Sequence, residues 1–179
     1  AQVPLKRTSD FTLAADEGRI VGYNALRDEA QCFKRRTRLG ITFSEPNIAS
    51  TGLSFKDLEA AKRDYVIGEV SYEGQGRAIT KLAEKGLLHI YVDKHTGELL
   101  GSEMIAPHGE HLAQLLAWAI SAKLTVFQTL SLPFYHPVLE EGVRTALRQA
   151  AAQVQALRPE LEVMRCQDPP VGCFPEDGR

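Results

Sequence analysis

The sequence predicts an α+β fold: an antiparallel sheet covered on one face by helices. Three observations predict it. Tyr65–Tyr72 alternates, with Val66, Gly68, Val70 and Tyr72 on one side and Glu69 and Ser71 on the other, the period of a half-buried strand. Leu87–Val92 and Glu98–Ala106 flank the polar turn Asp93-Lys-His-Thr-Gly97, which is the pattern of a hairpin. From Gly109 the pattern changes. Leu112, Leu115, Leu116, Ala119 and Ile120 recur at three- and four-residue spacing, the mark of an amphipathic helix. Strands first and helices last make α+β, with the helices lying on the sheet.

In chain order, Asp10 to about Leu26 reads as a helix, with Asp10 placed to cap it. Gly18 and Gly22 lower its intrinsic stability, and small residues four apart admit a close backbone approach. Arg27–Arg38 is charged and weakly patterned, a linker to a new domain. Leu39–Phe43 reads as a strand broken at Ser44-Glu-Pro46-Asn47, and a second extended piece runs near Ile48–Leu53. Ser54 caps a short helix from Phe55 to about Arg63, with Asp57 as its capping-box partner. Gly74-Gln-Gly76 is a turn, followed by a short helical or irregular segment at Arg77–Glu84. After the helix from Gly109, a short helix near Val126–Leu130 leads into the rigid connector Ser131–Pro137. The last long helix runs from about Val138 to Leu157, striped by Val143, Leu147, Ala150, Val154 and Leu157, and Pro159 ends it. The division is therefore 1–37, 38–158 and a proline-containing tail at 159–179.

Bulk properties remove several classes of function. With 44% hydrophobic and 25% charged residues, the composition is that of an ordinary globular protein. A net charge of −2 offers no concentrated positive face for nucleic acid. The short cluster Lys34, Arg35, Arg36 and Arg38 reads as a solvated linker. Cys32, Cys166 and Cys173 are too few and too odd in number for a secreted disulfide framework. No apolar run approaches the ~20 residues that span a bilayer, and no signal-peptide pattern opens the chain. These features lead to the expectation of a cytoplasmic protein with no membrane partner.

The richest chemistry lies at Tyr135-His136-Pro137-Val138-Leu139-Glu140-Glu141. His136 precedes a helix and Glu141 lies in its first turn, where the helix dipole favours a carboxylate. Pro137 restricts His136, so the ring is partly preset. A histidine beside a carboxylate is the arrangement of a tuned general base, and equally that of a helix-start histidine among ordinary glutamates. His108-Gly-Glu110-His111 offers two histidines on one helix face with no evident third ligand, and reads as polar residues at a helix start; no metal is expected. Cys166 and Cys173 fit neither a Cys-x-x-Cys pair nor a zinc knuckle, and read as ordinary reduced thiols. No nucleotide-binding glycine motif, phosphate loop or nucleophile elbow is present.

Phe43-Ser-Glu-Pro46-Asn-Ile-Ala-Ser-Thr-Gly52, the hairpin Gly86–Asp93 with Thr96–Gly101, Glu110 in the next helix, and His136-Pro137-x-x-x-Glu141 follow one another in order. From about Leu39 to Ala151 this series resembles the interface, or dimerisation, domain of the FAD-dependent pyridine nucleotide–disulfide oxidoreductases. The wording around His136 is similar to the dihydrolipoamide dehydrogenase-like branch, with Val138 where the signature usually has threonine. Phe11–Asn24 resembles the last helix of the family's flavin domain. Residues 1–37 would then be the remnant of that domain and the linker, an orphan helix without its sheet.

The resemblance implies a homodimer in which His136 exchanges protons with redox thiols in the partner subunit's site while Glu141 holds it. It also implies a cis His136–Pro137 bond, with both residues near the partner's flavin. FAD and NAD(P) would serve the full-length enzyme in turning over a disulfide or dithiol substrate. The chain by itself would bind no cofactor and be inactive. The alternatives are a mercuric or glutathione-type reductase, a flavin transhydrogenase, or a non-catalytic homodimerisation module.

Overall fold

The computed structural model describes residues 11–163. Its elements are α1 (Phe11–Asn24), β1 (Leu39–Thr42), β2 (Asn47–Gly52), α2 (Phe55–Ala60), β3 (Tyr65–Ser71), α3 (Gly76–Thr80), β4 (Leu87–Asp93), β5 (Leu99–Ala106), α4 (Gly109–Ser121), α5 (Val126–Leu130) and α6 (Glu141–Ala151). The strands form one antiparallel sheet in the order β1-β2-β5-β4-β3.

The hairpin at the centre of the sheet forms where its sequence places it. Asp93 Oδ1 accepts the N–H groups of His95 and Thr96 at 3.0 and 2.9 Å, which closes the turn. Strand alternation sends Leu88, Ile90, Val92 and Met104 into the main core, and a shift of the β4–β5 register between Tyr91 and Val92 brings Leu99 to the same face. The helices cover that face, α6 lying over β3 and β4 and α4 over β1, β2 and β5. Leu112, Leu116, Val143, Leu147 and Ala150 are buried there. Removing such side chains from water is the main driving force for this arrangement.

The opposite face carries a smaller cluster. Leu58 of α2 is fully buried against Tyr91 and Leu100, with Leu53, Tyr65 and Ile67 around it. The Ser54–Asp57 capping box opens α2 as expected, but the helix ends at Ala60, short of the predicted Arg63. Lys62 there adopts a left-handed conformation, φ 49°, which a continuing helix excludes.

The last helix departs most from its sequence pattern. Predicted over 138–157, it spans only Glu141–Ala151. At its start, the Glu141 carboxylate accepts the Val138 N–H, which folds 138–140 into a turn. At its end, the Gln155 N–H donates to the Lys94 carbonyl at 2.8 Å, drawing the chain toward the β4–β5 turn. Leu157, expected on the buried stripe, is 95% exposed.

α1 forms as expected; Asp10, its predicted cap, lies outside the described residues. Among the described residues nothing approaches Gly18 or Gly22, so the room these small residues leave is not used by another backbone there. Val21 and Leu26 are exposed, and ion pairs Glu17–Arg35 and Asp16–Arg36 join the helix to the following irregular segment. Arg38 pairs with Asp57 at 2.9 Å. Three residues of the basic cluster are thus matched with carboxylates. Among the described residues no helix is long and apolar enough to cross a membrane.

Candidate acid–base site

His136 and Glu141 meet at the start of α6. His136 Nδ1 lies 2.7 Å from Glu141 Oε1. Glu141 Oε2 accepts the Val138 N–H at 3.2 Å, so one carboxylate holds both the ring and the backbone that carries it. The intervening loop is anchored by Leu139, which is buried in the main core. The His136–Pro137 bond is cis, as the resemblance implies; Glu45–Pro46 is also cis, which the sequence reading did not anticipate.

Electrostatics follow from these contacts. The hydrogen bond to His136 is the chief reason that Glu141 titrates below the ordinary carboxylate value. Partial burial opposes it, while the Val138 N–H and the positive charges of His136 and Arg144 assist. An ionised Glu141 can only accept, so Nδ1 carries the proton and Nε2 is the ring nitrogen able to accept one. His136 is 79% exposed and Glu141 is 32% exposed, so Nε2 is presented outward while its partner sits against the protein.

Two supports were not legible beforehand. Gln75 caps α3 through its side-chain oxygen and donates its Nε2 to the Val138 carbonyl at 2.9 Å. A lone glutamine in a Gly-Gln-Gly turn gives no sequence signal for such a role. Arg144 stands one turn after Glu141, with its guanidinium 5.7 Å above the Phe134 ring and 3.2 Å from Glu162. The carboxylate of Glu162 also pairs with Arg148 at 2.6 Å, tying the segment after α6 back onto that helix.

The other candidates fall elsewhere. His108 and His111 stack at 5.9 Å at the start of α4, and with Glu110 their ligand atoms lie within 4.8 Å of one another. Cys32 is exposed and free. Cys166 and Cys173 lie outside the described residues.

Comparison with known proteins adds the decisive observation. Residues 39–147 match the family model described as the pyridine nucleotide-disulphide oxidoreductase dimerisation domain, a span that takes in the whole sheet, α4 and α5, and the His136–Glu141 pair. The chain belongs to that family. It is 29% identical to the dihydrolipoyl dehydrogenase of Haloferax volcanii over 141 residues, covering 79% of this chain and 30% of the relative. It is 30% identical to the mercuric reductase of Streptomyces lividans over 151 residues, covering 83% of this chain and 31% of that protein. Among solved structures it resembles LpdA from Mycobacterium tuberculosis, with a TM-score of 0.66 at 25% identity over 76% of this chain and 30% of that one. The chain thus spans about a third of the length of the curated relatives it matches.

For this dimerisation domain the resemblance implies a flavin beside His136 and Pro137. The residues present fit a group approached from outside: the loop is exposed and turns Nε2 outward.

Proposed function

We propose that this chain is the dimer-forming part of an FAD-dependent, NAD(P)-linked disulfide oxidoreductase of the dihydrolipoyl dehydrogenase kind. Residues 1–37 are read as the end of the flavin domain and its linker, 38–158 as the dimerisation domain, and 159–179 as the tail. The observation that carries this reading is the His136–Glu141 pair, ordered at its base and open at Nε2.

In the proposed dimer, His136 of one subunit enters the other's site. A thiol has a pKa of ~8.5 and must lose its proton before it attacks or transfers charge. His136 takes that proton at Nε2, while Nδ1 keeps its own proton in the hydrogen bond to Glu141, whose charge stabilises the imidazolium that forms. When the thiolate leaves as a product thiol, the same nitrogen returns the proton. Bound FAD would supply the electron transfer between dithiol and nicotinamide. The sparse, odd-numbered cysteine set supports a reducing, cytoplasmic setting.

The test uses the full-length enzyme. His136→Gln and Glu141→Gln should each leave dimer and flavin absorbance intact. Dithiol oxidation should fall by about 10²-fold or more, the usual size of a general-base contribution. Unchanged turnover in His136→Gln would overturn the assignment. The likeness to a mercuric reductase supports a second substrate class. Turnover with dihydrolipoamide, glutathione disulfide and mercuric ion, compared side by side, decides between them.

A further inference from the structure

We propose that His108, Glu110 and His111 form a binding site for one divalent transition-metal ion of the class that favours imidazole: copper, nickel or zinc. Sequence spacing offers two histidines; the fold supplies the third donor. His108 is the residue before α4, and the stacked rings of His108 and His111 lie 5.9 Å apart with planes 18° apart. A carboxylate oxygen of Glu110 joins one nitrogen from each ring, all three atoms within 4.8 Å of one another. Donors about 2.0–2.2 Å from a common ion must lie closer together than that, and the His111 side chain, exposed to solvent, has room to turn toward the other two.

A second observation points the same way. Glu110 Oε2 is buried and has no hydrogen-bond partner among the described residues, while Oε1 lies 3.6 Å from His111 Nε2. A buried carboxylate oxygen without a partner is costly, and a bound cation removes that cost. The positive end of the α4 dipole opposes a cation here, but the carboxylate charge of Glu110 lies closer to the ion than that partial charge does. Two imidazoles and one carboxylate form a mixed nitrogen–oxygen set. Such a set should select in the order copper over nickel and zinc, and should ignore magnesium and calcium, which demand more oxygen donors.

The site is separate from the His136–Glu141 pair and does not depend on the proposed catalytic role. The experiment is calorimetric titration of the full 179-residue chain, untagged, with Cys32, Cys166 and Cys173 replaced by serine. Copper(II), nickel(II), zinc(II) and magnesium chlorides are added separately. One equivalent of copper, nickel or zinc should bind in the micromolar range, with no heat from magnesium. His111→Ala should weaken binding by about a hundredfold, at least the loss expected when even a ligand's supporting partner is removed. His108→Asn should do the same while keeping the left-handed backbone at φ 51°, which asparagine tolerates. Circular dichroism confirms that each variant is folded, and paramagnetic resonance of the copper form should report two nitrogen ligands. An unchanged curve in either variant, no binding by any of the three transition metals, or binding only while the cysteines are present would each overturn the proposal.

Discussion

Tyr72 lies directly beneath Gly142. A methyl group on that glycine would come within 2.8 Å of the phenolic oxygen and 2.9 Å of the ring carbon that bears it. Tyr72 follows directly on β3 and is fully buried. Burial first, and the charge of Glu140 second, push its phenol well above the ordinary tyrosine range, so it stays protonated at all relevant pH. The start of α6, and with it Glu141, therefore rests on an incompressible ring.

Gly142→Ala should lift the first turn of α6 from that ring. We expect a loss of about 1–3 kcal/mol in stability, the usual cost of overpacking. In the full-length enzyme, turnover should fall further than stability alone explains, because Glu141 moves with the turn. A companion change separates the two effects. The Tyr72 hydroxyl is buried without a hydrogen-bond partner among the described residues. Tyr72→Phe should thus be neutral or slightly stabilising. Urea denaturation of both variants checks this, and a strongly destabilised Tyr72→Phe would show that the hydroxyl has a partner after all.

Gly68 marks a tighter contact on the same helix. A Cβ there would lie 2.0 Å from the Ala146 carbonyl oxygen and 2.8 Å from its carbon. The obstacle is backbone, which cannot swing aside as a side chain can. Gly68→Ala should push α6 off the edge strand and cost about 3 kcal/mol or more, the upper end for overpacking. A midpoint of denaturation within error of the parent would mean that α6 is free to slide on β3.

These contacts explain which parts of the fold could be read in advance. The β4–β5 hairpin was legible because its signal is local: Asp93 accepts the turn's own N–H groups two and three residues on. The Ser54–Asp57 capping box was legible for the same reason. The ends of α6 were not, because they are set by competitors remote in sequence: Lys94 takes the Gln155 N–H, and Gln75 takes the Val138 carbonyl. The central β2–β5 pairing, in which Asn47 faces Ala106 and Gly52 faces Gly101, leaves no trace in either strand's alternation. The His136–Glu141 pair lay between these extremes. Its spacing pointed to a contact, and its order in the series of family motifs pointed to a role.

Acid should weaken the fold in a defined window. The Ser54 side-chain and backbone hydrogen bonds, chiefly, hold the Asp57 carboxyl at a pKa of about 2, with Arg38 assisting and partial burial opposing. A carboxyl depressed in the folded state stabilises the fold at pH values above its unfolded value. That contribution is lost as pH falls through the folded value, here between about 4 and about 2. Glu141 and Glu162 are lowered too and act with the same sign. Asp57→Asn should remove about 1–2 kcal/mol at neutral pH, the scale of a lost helix cap. It should also flatten the stability profile below pH 4. Thermal melts at pH 7, 4 and 2.5 measure both. A variant whose profile stays parallel to the parent's at every pH would assign the acid sensitivity to another group.

The outer side of α4 offers the clearest handle on assembly. Leu112, Ala113, Leu116 and Ala117 bury the inner side, yet among the described residues Leu115 remains 44% exposed and Trp118 65% exposed on the outer side. Large apolar side chains held out in this way suit a self-complementary contact, in which the same patch meets itself across a two-fold axis. A stable contact of that kind buries roughly 800 Å² on each partner, and its energy concentrates on a few central anchors of which tryptophan is the commonest type. Trp118→Glu should therefore shift the chain from dimer to monomer in sedimentation equilibrium while leaving its circular dichroism unchanged, because the side chain contributes little to the monomer's core. Leu115→Glu should act in the same direction. In the full-length enzyme the same substitutions should reduce turnover in proportion to the monomer fraction, if His136 works only in the partner's site. A Trp118→Glu variant that remains dimeric at micromolar concentration would place the two-fold contact elsewhere, and the exposed sheet face around Ile48 and Ile105 would be the next surface to alter.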